Sequence, residues 1–267
     1  MDARDKRPAD DAILLRQDAD GIAKLTLNRP AARNALSMAL MDALQCALDA
    51  IARDDTVKAV VIAANGPGFC AGHDLREMRA NPGRQHYEAV FKQCVRLMTA
   101  IVRLPKPVIA RVHGVATAAG CQLVASCDLA VAAADARFAT PGVNIGLFCS
   151  TPMVALSRAV PRKAAMEMLL TGELIDADEA QRLGLVNRVV PADRLDEAVN
   201  ELARTIAAKS PLVLKIGKEA FYRQAELDLD AAYAYASEVM VTNMLARDAE
   251  EGIDAFLQKR SPKWENR

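Results

Sequence analysis

The chain has 267 residues, 52% of them hydrophobic and 25% charged, and its 34 basic side chains balance its 34 acidic ones. That size suits one large α/β domain, or a domain with a small appendage, and the balanced charge offers no global field for nucleic acid or an acidic membrane surface. Aromatics make up only 4%, so there is no basic–aromatic interleaving for single strands to stack on.

The opening MDARDKRPADDA has no apolar core for a secretory signal, and its acids argue against a mitochondrial presequence. A cytoplasmic location is therefore expected. No run approaches bilayer-spanning length, so no membrane partner is expected. The six cysteines (Cys46, Cys70, Cys94, Cys121, Cys127 and Cys149) form no Cys-x-x-Cys pair, and there are only three histidines. A metal site is not expected, and buried free thiols are the plain reading.

In chain order, residues 13–17 and 21–28 read as a hairpin turning at Asp18-Ala19-Asp20-Gly21. Residues 37–54 carry Leu40, Leu44, Leu48 and Ile51 at helical spacing. The β-branched run 57–64 predicts a buried strand. A long helix follows over about 85–104, then strands at 107–114 and 128–134. Strand alternating with helix predicts a largely parallel sheet with crossover helices. Beyond about residue 150 the pattern is mostly helical. Asp176 and Glu179 are spaced as a capping box, Gly184 marks a stop, residues 185–191 form a late strand, and Ser210-Pro211 begins another helix. We divide the chain into an α/β core over 1–205 and a helical region over 206–267.

Two loops stand out. Strand 107–114 leads through Ala118-Ala119-Gly120, almost bare of side chains, into a helix beginning near Cys121. Strand 57–64 leads through the glycine-rich NGPGFCAGHDL, residues 65–75, into a second helix start capped by Asp74. The first amides of a helix lack internal partners and sit at its positive end, so bare backbone there lets a ligand oxygen approach. Either loop alone is satisfied by a tight turn; two together are able to form an oxyanion hole.

The segments NRPAARNALS, FCAGHDLREM, HGVATAAGCQLVASCDLAVAAADARFATPGVNIGL, AAMEMLLTGELIDADEAQRLGLVNRVV and EEGIDAFLQKR stand in that order over about residues 13–260. In this the chain resembles the crotonase family of enoyl-CoA hydratases and isomerases. The resemblance implies a spiral of βαβ units with a C-terminal helical trimerisation region, assembled as a homotrimer or dimer of trimers. It implies an acyl-CoA thioester as partner, with coenzyme A part of the substrate and no separate cofactor. It places the oxyanion-hole amides at His73 and Ala119. It assigns CoA and acyl contacts to Arg33, Asn34, Ala35, Leu36, Ala71, Leu75 and Phe148, and to Phe256 and Lys259 reaching a neighbouring subunit's nucleotide.

The chain departs from the family pattern where acid–base chemistry is expected. Gln122 and Gly142 stand at the two glutamate positions, and Ser150 at a third site where some relatives carry a carboxylate. An amide cannot exchange a proton near neutral pH, and glycine has no side chain. His73 is the nearby group able to titrate near neutrality; Cys149 lacks an evident histidine partner and reads as packed. Two functions stay open: an acyl-CoA enzyme that stabilises a thioester enolate, hydratase- or isomerase-like, or a protein that binds acyl-CoA without turnover.

Overall fold

The computed structural model describes residues 12–267, so residues 1–11 of the polar opening stretch lie outside it. β1 (Leu14–Ala19) and β2 (Ile22–Leu27) form the expected hairpin. The turn falls at Asp20 and Gly21, both at positive φ, two residues narrower than the four-residue turn read from the sequence. α1 (Met38–Ala52) begins at Ser37, whose hydroxyl accepts the Leu40 amide, and buries Leu40, Leu44, Leu48 and Ile51. β3 (Ala59–Ala64) is buried at every position, as a parallel strand covered on both faces must be.

α2 (Leu75–Ala80) and α3 (Arg84–Arg103) lead to β4 (Val108–Val112), β5 (Val115–Thr117), α4 (Ala119–Ser126), β6 (Leu129–Ala133) and β7 (Arg137–Ala139). The segment after residue 112 is therefore not a plain loop. It contains a short strand, and its helix starts two residues earlier than the sequence suggests. α5 (Ser150–Ala159), α6 (Arg162–Thr171), β8 (Ile175–Asp176), α7 (Ala177–Arg182), β9 (Arg188–Val190), α8 (Leu195–Ala207), α9 (Pro211–Gln224), α10 (Leu229–Met244) and α11 (Arg247–Leu257) complete the chain. Only half of the capping box forms at α7. The Asp176 carboxylate accepts the Glu179 amide, but the Glu179 carboxylate binds Arg182.

The main sheet has the order β1-β2-β3-β4-β6-β9, antiparallel only between β1 and β2. A second ladder runs beside it, with order β5-β7-β8, preceded by single bridges between Leu36 and His73 and between Cys70 and Ala116. Successive βαβ turns thus add strands to the sheet and short pairings to the second ladder, the spiral that the family resemblance implies. One sheet face is covered by a large apolar cluster that includes α1, α3 and α4. The other packs Val61, Ile109, Val131 and Ala133 against Leu195, Val199 and Ala203 of α8.

The last helices are tied to this core by polar groups. Lys218 of α9 is almost fully buried; its ammonium donates to the Asp128 carboxylate at 2.6 Å and to the carbonyls of Ile101 and Lys106 at 3.0 Å each. The Tyr222 hydroxyl donates to the other Asp128 oxygen at 2.9 Å, and the Val108 amide donates to Asp128 as well. Asp248 of α11, also buried, accepts the Ser210 hydroxyl and the amides of Glu265 and Asn266. Such charges stay buried because each is hydrogen-bonded, and Lys218 and Asp128 are also paired with each other.

Candidate active site

Residues 70–74 lie between two other backbone segments. On one side the Cys70 amide donates to Val115 at 3.1 Å and the Thr117 amide returns to Cys70 at 2.9 Å. On the other, Ala71 donates to Arg33 at 3.1 Å, Leu36 donates to Gly72 at 2.7 Å and Asp74 donates to Leu36 at 3.1 Å. Leu36 thereby bonds both neighbours of His73. In a parallel ladder the residue between them turns its own N–H the opposite way. On the other loop Ala118 is held at φ 50°, ψ −119°, with its amide on Ala139 at 2.9 Å. That sparsely populated conformation costs of order 1–3 kcal/mol and turns the chain sharply into α4. Ala119 is the first residue of that helix. Among the described residues, neither the His73 nor the Ala119 amide has an acceptor.

The two loops approach each other closely. A Cβ placed on Gly72, which has φ +98°, would lie 2.9 Å from the Ala118 Cβ and 3.3 Å from the Ala119 nitrogen. One placed on Gly120 would lie 2.1 Å from the Cys70 carbonyl oxygen. Close approach of the loops requires glycine at both positions, and at Gly72 the positive φ requires it as well. Two amides without acceptors therefore lie on closely packed loops, the Ala119 amide at the positive end of α4.

The side chains around them carry little proton chemistry. The His73 ring meets Phe91 edge-on with centroids 5.4 Å apart, and its Nε2 is buried without a partner. Burial pushes its pKa down from 6.5 to about 4, which corrects the expectation of titration near neutrality. Between those values the unfolded chain binds the proton and the folded one does not. Stability is therefore full above about pH 6.5 and falls as pH drops towards 4, by about 3 kcal/mol in all. Urea unfolding across pH 4–7.5 is expected to show this slope, and His73→Phe to flatten it.

Gln122 is buried, with its Oε1 3.7 Å from the Cys94 thiol. Gly142 is buried under the loop 146–149: an added Cβ would lie 2.6 Å from the Leu147 carbonyl oxygen and 2.9 Å from the Cys149 Sγ. Burial pushes the Cys149 thiol up, with the Gly142 amide opposing, so it stays protonated. Ser150 is exposed and donates to the Phe148 carbonyl. It is the first residue of α5, whose cap position is Cys149. Cys46 is exposed, unlike the other five cysteines.

Among the residues assigned to CoA and acyl contacts, 33–36 and 71–75 are brought together by the ladder just described. The Asn34 side chain is spent on structure, donating to the carbonyls of Asn65 and Gly68 and accepting the Arg29 amide; Leu36 is in the core, and Ala35 is buried at its edge. Asp74 caps α2 and pairs with Arg29 at 2.9 Å. Burial raises its pKa, but Arg29 and the Glu77 and Arg76 amides outweigh this and hold the carboxyl below its usual range. Ala71, Leu75 and Phe148 are exposed. Phe256, 82% exposed, and Lys259 lie at the end of α11, which packs on α9 and α10; no hydrogen bond joins them to these loops within the chain. An open groove along α3, lined by Arg84, Tyr87, Glu88, Phe91 and Lys92, adjoins the site through Phe91. Cys94 and the Leu147 carbonyl were not legible from the sequence as parts of the site.

The family model of the enoyl-CoA hydratase/isomerase family matches residues 17–267. The chain belongs to the enoyl-CoA hydratase/isomerase family. It is 52% identical over 245 residues to enoyl-CoA hydratase domain-containing protein 3, mitochondrial, of Homo sapiens, covering 92% of this chain and 81% of that one. The crystal structure of that human protein superposes with a TM-score of 0.92 at 50% identity, covering 95% and 100% of the two chains. An enoyl-CoA hydratase of Mycobacterium smegmatis superposes with a TM-score of 0.93 at 57% identity, covering 95% and 99%. The expected crotonase fold therefore stands. The cytoplasmic expectation does not. Relatives from Rattus norvegicus, Mus musculus, Homo sapiens, Xenopus laevis and Danio rerio are all named as mitochondrial, which points to mitochondria; the composition of one short stretch is a weak address. No helix among the described residues is long and apolar enough to cross a membrane.

Proposed function

We propose that this chain is an acyl-CoA enzyme that holds a thioester oxygen between the His73 and Ala119 amides and stabilises the enolate there, with little capacity for crotonyl-CoA hydration. The observation that carries the reading is the pair of amides without acceptors, on loops brought into close approach at Gly72 and Gly120. One such donor is worth roughly 3 kcal/mol of barrier in acyl transfer. Ala71, Leu75 and the backbone around Arg33 border the thioester and pantetheine, Phe148 borders the acyl group, and Phe256 and Lys259 reach the nucleotide of an adjacent subunit. CoA arrives as part of the substrate, and no separate cofactor is needed.

A second reading, acyl-CoA binding without turnover, is favoured by Gln122, Gly142 and Ser150, none of which is a carboxylate at the family positions. Calorimetry with butyryl-CoA is expected to give saturable binding under either reading. A folded protein that takes up no CoA thioester would overturn both, and turnover of an acyl-CoA separates them.

The oligomer belongs to the same proposal. Leu229, Tyr233, Leu245, Phe256 and Leu257 are each at least 70% exposed on the last helices, large apolar side chains that association with further copies would cover. Light scattering at micromolar concentration is expected to give the mass of a trimer or a dimer of trimers. Leu245→Arg is expected to shift that mass downward, and a monomeric parent protein would contradict the assembly.

A further inference from the structure

Gln122 differs from a carboxylate in polarity as well as in acidity. A carboxylate offers only acceptors to a substrate, whereas an amide offers either an oxygen or an NH2 group, depending on how it is turned. Here the turn is fixed from behind. The Cys94 Sγ, buried in α3, donates to the Gln122 Oε1 at 3.7 Å. Burial pushes the Cys94 thiol up to about 12, so it remains an S–H donor at any physiological pH. With the oxygen facing α3, Nε2 faces away from it. Nε2 has no acceptor among the described residues and is not among the buried unpaired atoms, so it keeps some exposure.

The amide also stands beside the reacting position. Ala119 and Gln122 are three residues apart on α4 and share a face. Phe91 and Cys94 are likewise three apart on α3, Phe91 meeting His73 and Cys94 meeting Gln122. One face of α3 therefore backs both the His73 loop and the Gln122 amide.

We infer that Gln122 determines specificity: its Nε2 donates to an acceptor oxygen on the carbon next to the thioester's Cα, so that the site selects 3-oxoacyl or malonyl-type thioesters over plain acyl thioesters. Cys94 is a positioning residue that sets the amide's orientation. This rests on the reading that a CoA thioester binds at His73 and Ala119. A donor that a bound substrate covers with a plain methylene loses its water and is left unpaired, and that loss separates the two substrate classes.

The test is calorimetry on the full-length protein with three probes: butyryl-CoA, acetoacetyl-CoA and malonyl-CoA. At least one oxygenated thioester is expected to bind on the order of tenfold more tightly than butyryl-CoA, and which one does so tells a ketone from a carboxylate. Gln122→Leu is expected to reduce that ratio to about one. Cys94→Val is expected to lower the ratio, and Cys94→Ser to restore it, because the hydroxyl also donates; melting curves establish that each variant is folded. Equal affinities in the parent protein, or an unchanged ratio in Gln122→Leu, would overturn the inference while leaving thioester binding intact. An unchanged ratio in Cys94→Val would overturn the positioning role. Failure of all three probes to bind would remove the underlying reading and this inference with it.

Discussion

Gly120→Ala is expected to lower the melting temperature by roughly 6–12 °C and to abolish CoA-thioester binding. The new Cβ would fall 2.1 Å from the Cys70 carbonyl oxygen and 2.7 Å from its carbon, and both obstacles are backbone. Overpacking of this kind costs about 3 kcal/mol, and at this chain length each kcal/mol is worth about 2–4 °C. The strain has one exit, which is to move segment 70–72 away from α4. That motion breaks the bonds from Cys70 to Val115 and from Thr117 to Cys70 and carries His73 away from Ala119. Differential scanning calorimetry and thioester titration measure the two effects. A variant that keeps both its melting temperature and its affinity would show that the two loops are not coupled in this way.

The second large effect concerns the missing carboxylates. The unmodified protein is expected to hydrate crotonyl-CoA slower than a relative bearing both glutamates by about 10²–10⁴-fold for each group lost. Restoring the pair is not a matter of adding side chains. At Gly142 the room for a Cβ is already taken by the Leu147 carbonyl and the Cys149 Sγ, and the Leu147 amide is bonded back to the Gly142 carbonyl at 2.9 Å. Gln122→Glu with Gly142→Glu is therefore expected to be no faster than Gln122→Glu alone, and less stable by about 1–3 kcal/mol. Steady-state hydration and urea unfolding check the two halves. A double variant that gains a hundredfold would mean that loop 146–149 swings clear of the site, and parent turnover of roughly 10–10³ per second would mean that another group moves the proton.

The largely parallel sheet was legible because strand alternates with helix along the chain. The uniformly apolar run at 59–64 and the 3.6-residue rhythm of Leu40, Leu44, Leu48 and Ile51 each state their environment locally, and all four helix positions are buried. The bare Ala118-Ala119-Gly120 segment was also informative, since three small residues ahead of an apolar helix leave room for a close backbone approach and do little else. Pairings across the spiral were not legible. β5 is three residues long and exists because Cys70 and Arg137 lie beside it, which no local pattern announces. His73 shows the same limit in chemistry: its residue type promises titration near neutrality, but Phe91, eighteen positions on, buries the ring and holds it neutral. At Gly142 the sequence reveals a missing glutamate. The folded chain adds that a neighbouring carbonyl occupies the space.

Lys218 and Tyr222 have a bearing on how this protein can be re-engineered. Asp128 sits at the entrance to a central strand, and two of its three donors come from α9, some ninety residues later. The tail cannot be exchanged as a cassette. A chimera carrying foreign C-terminal helices would strand a carboxylate in the interior unless the graft supplied an ammonium and a phenol at the same places, and a buried charge deprived of its partner costs about 3–5 kcal/mol. Boundaries for such grafts belong after Gln224, where α9 has already delivered both groups.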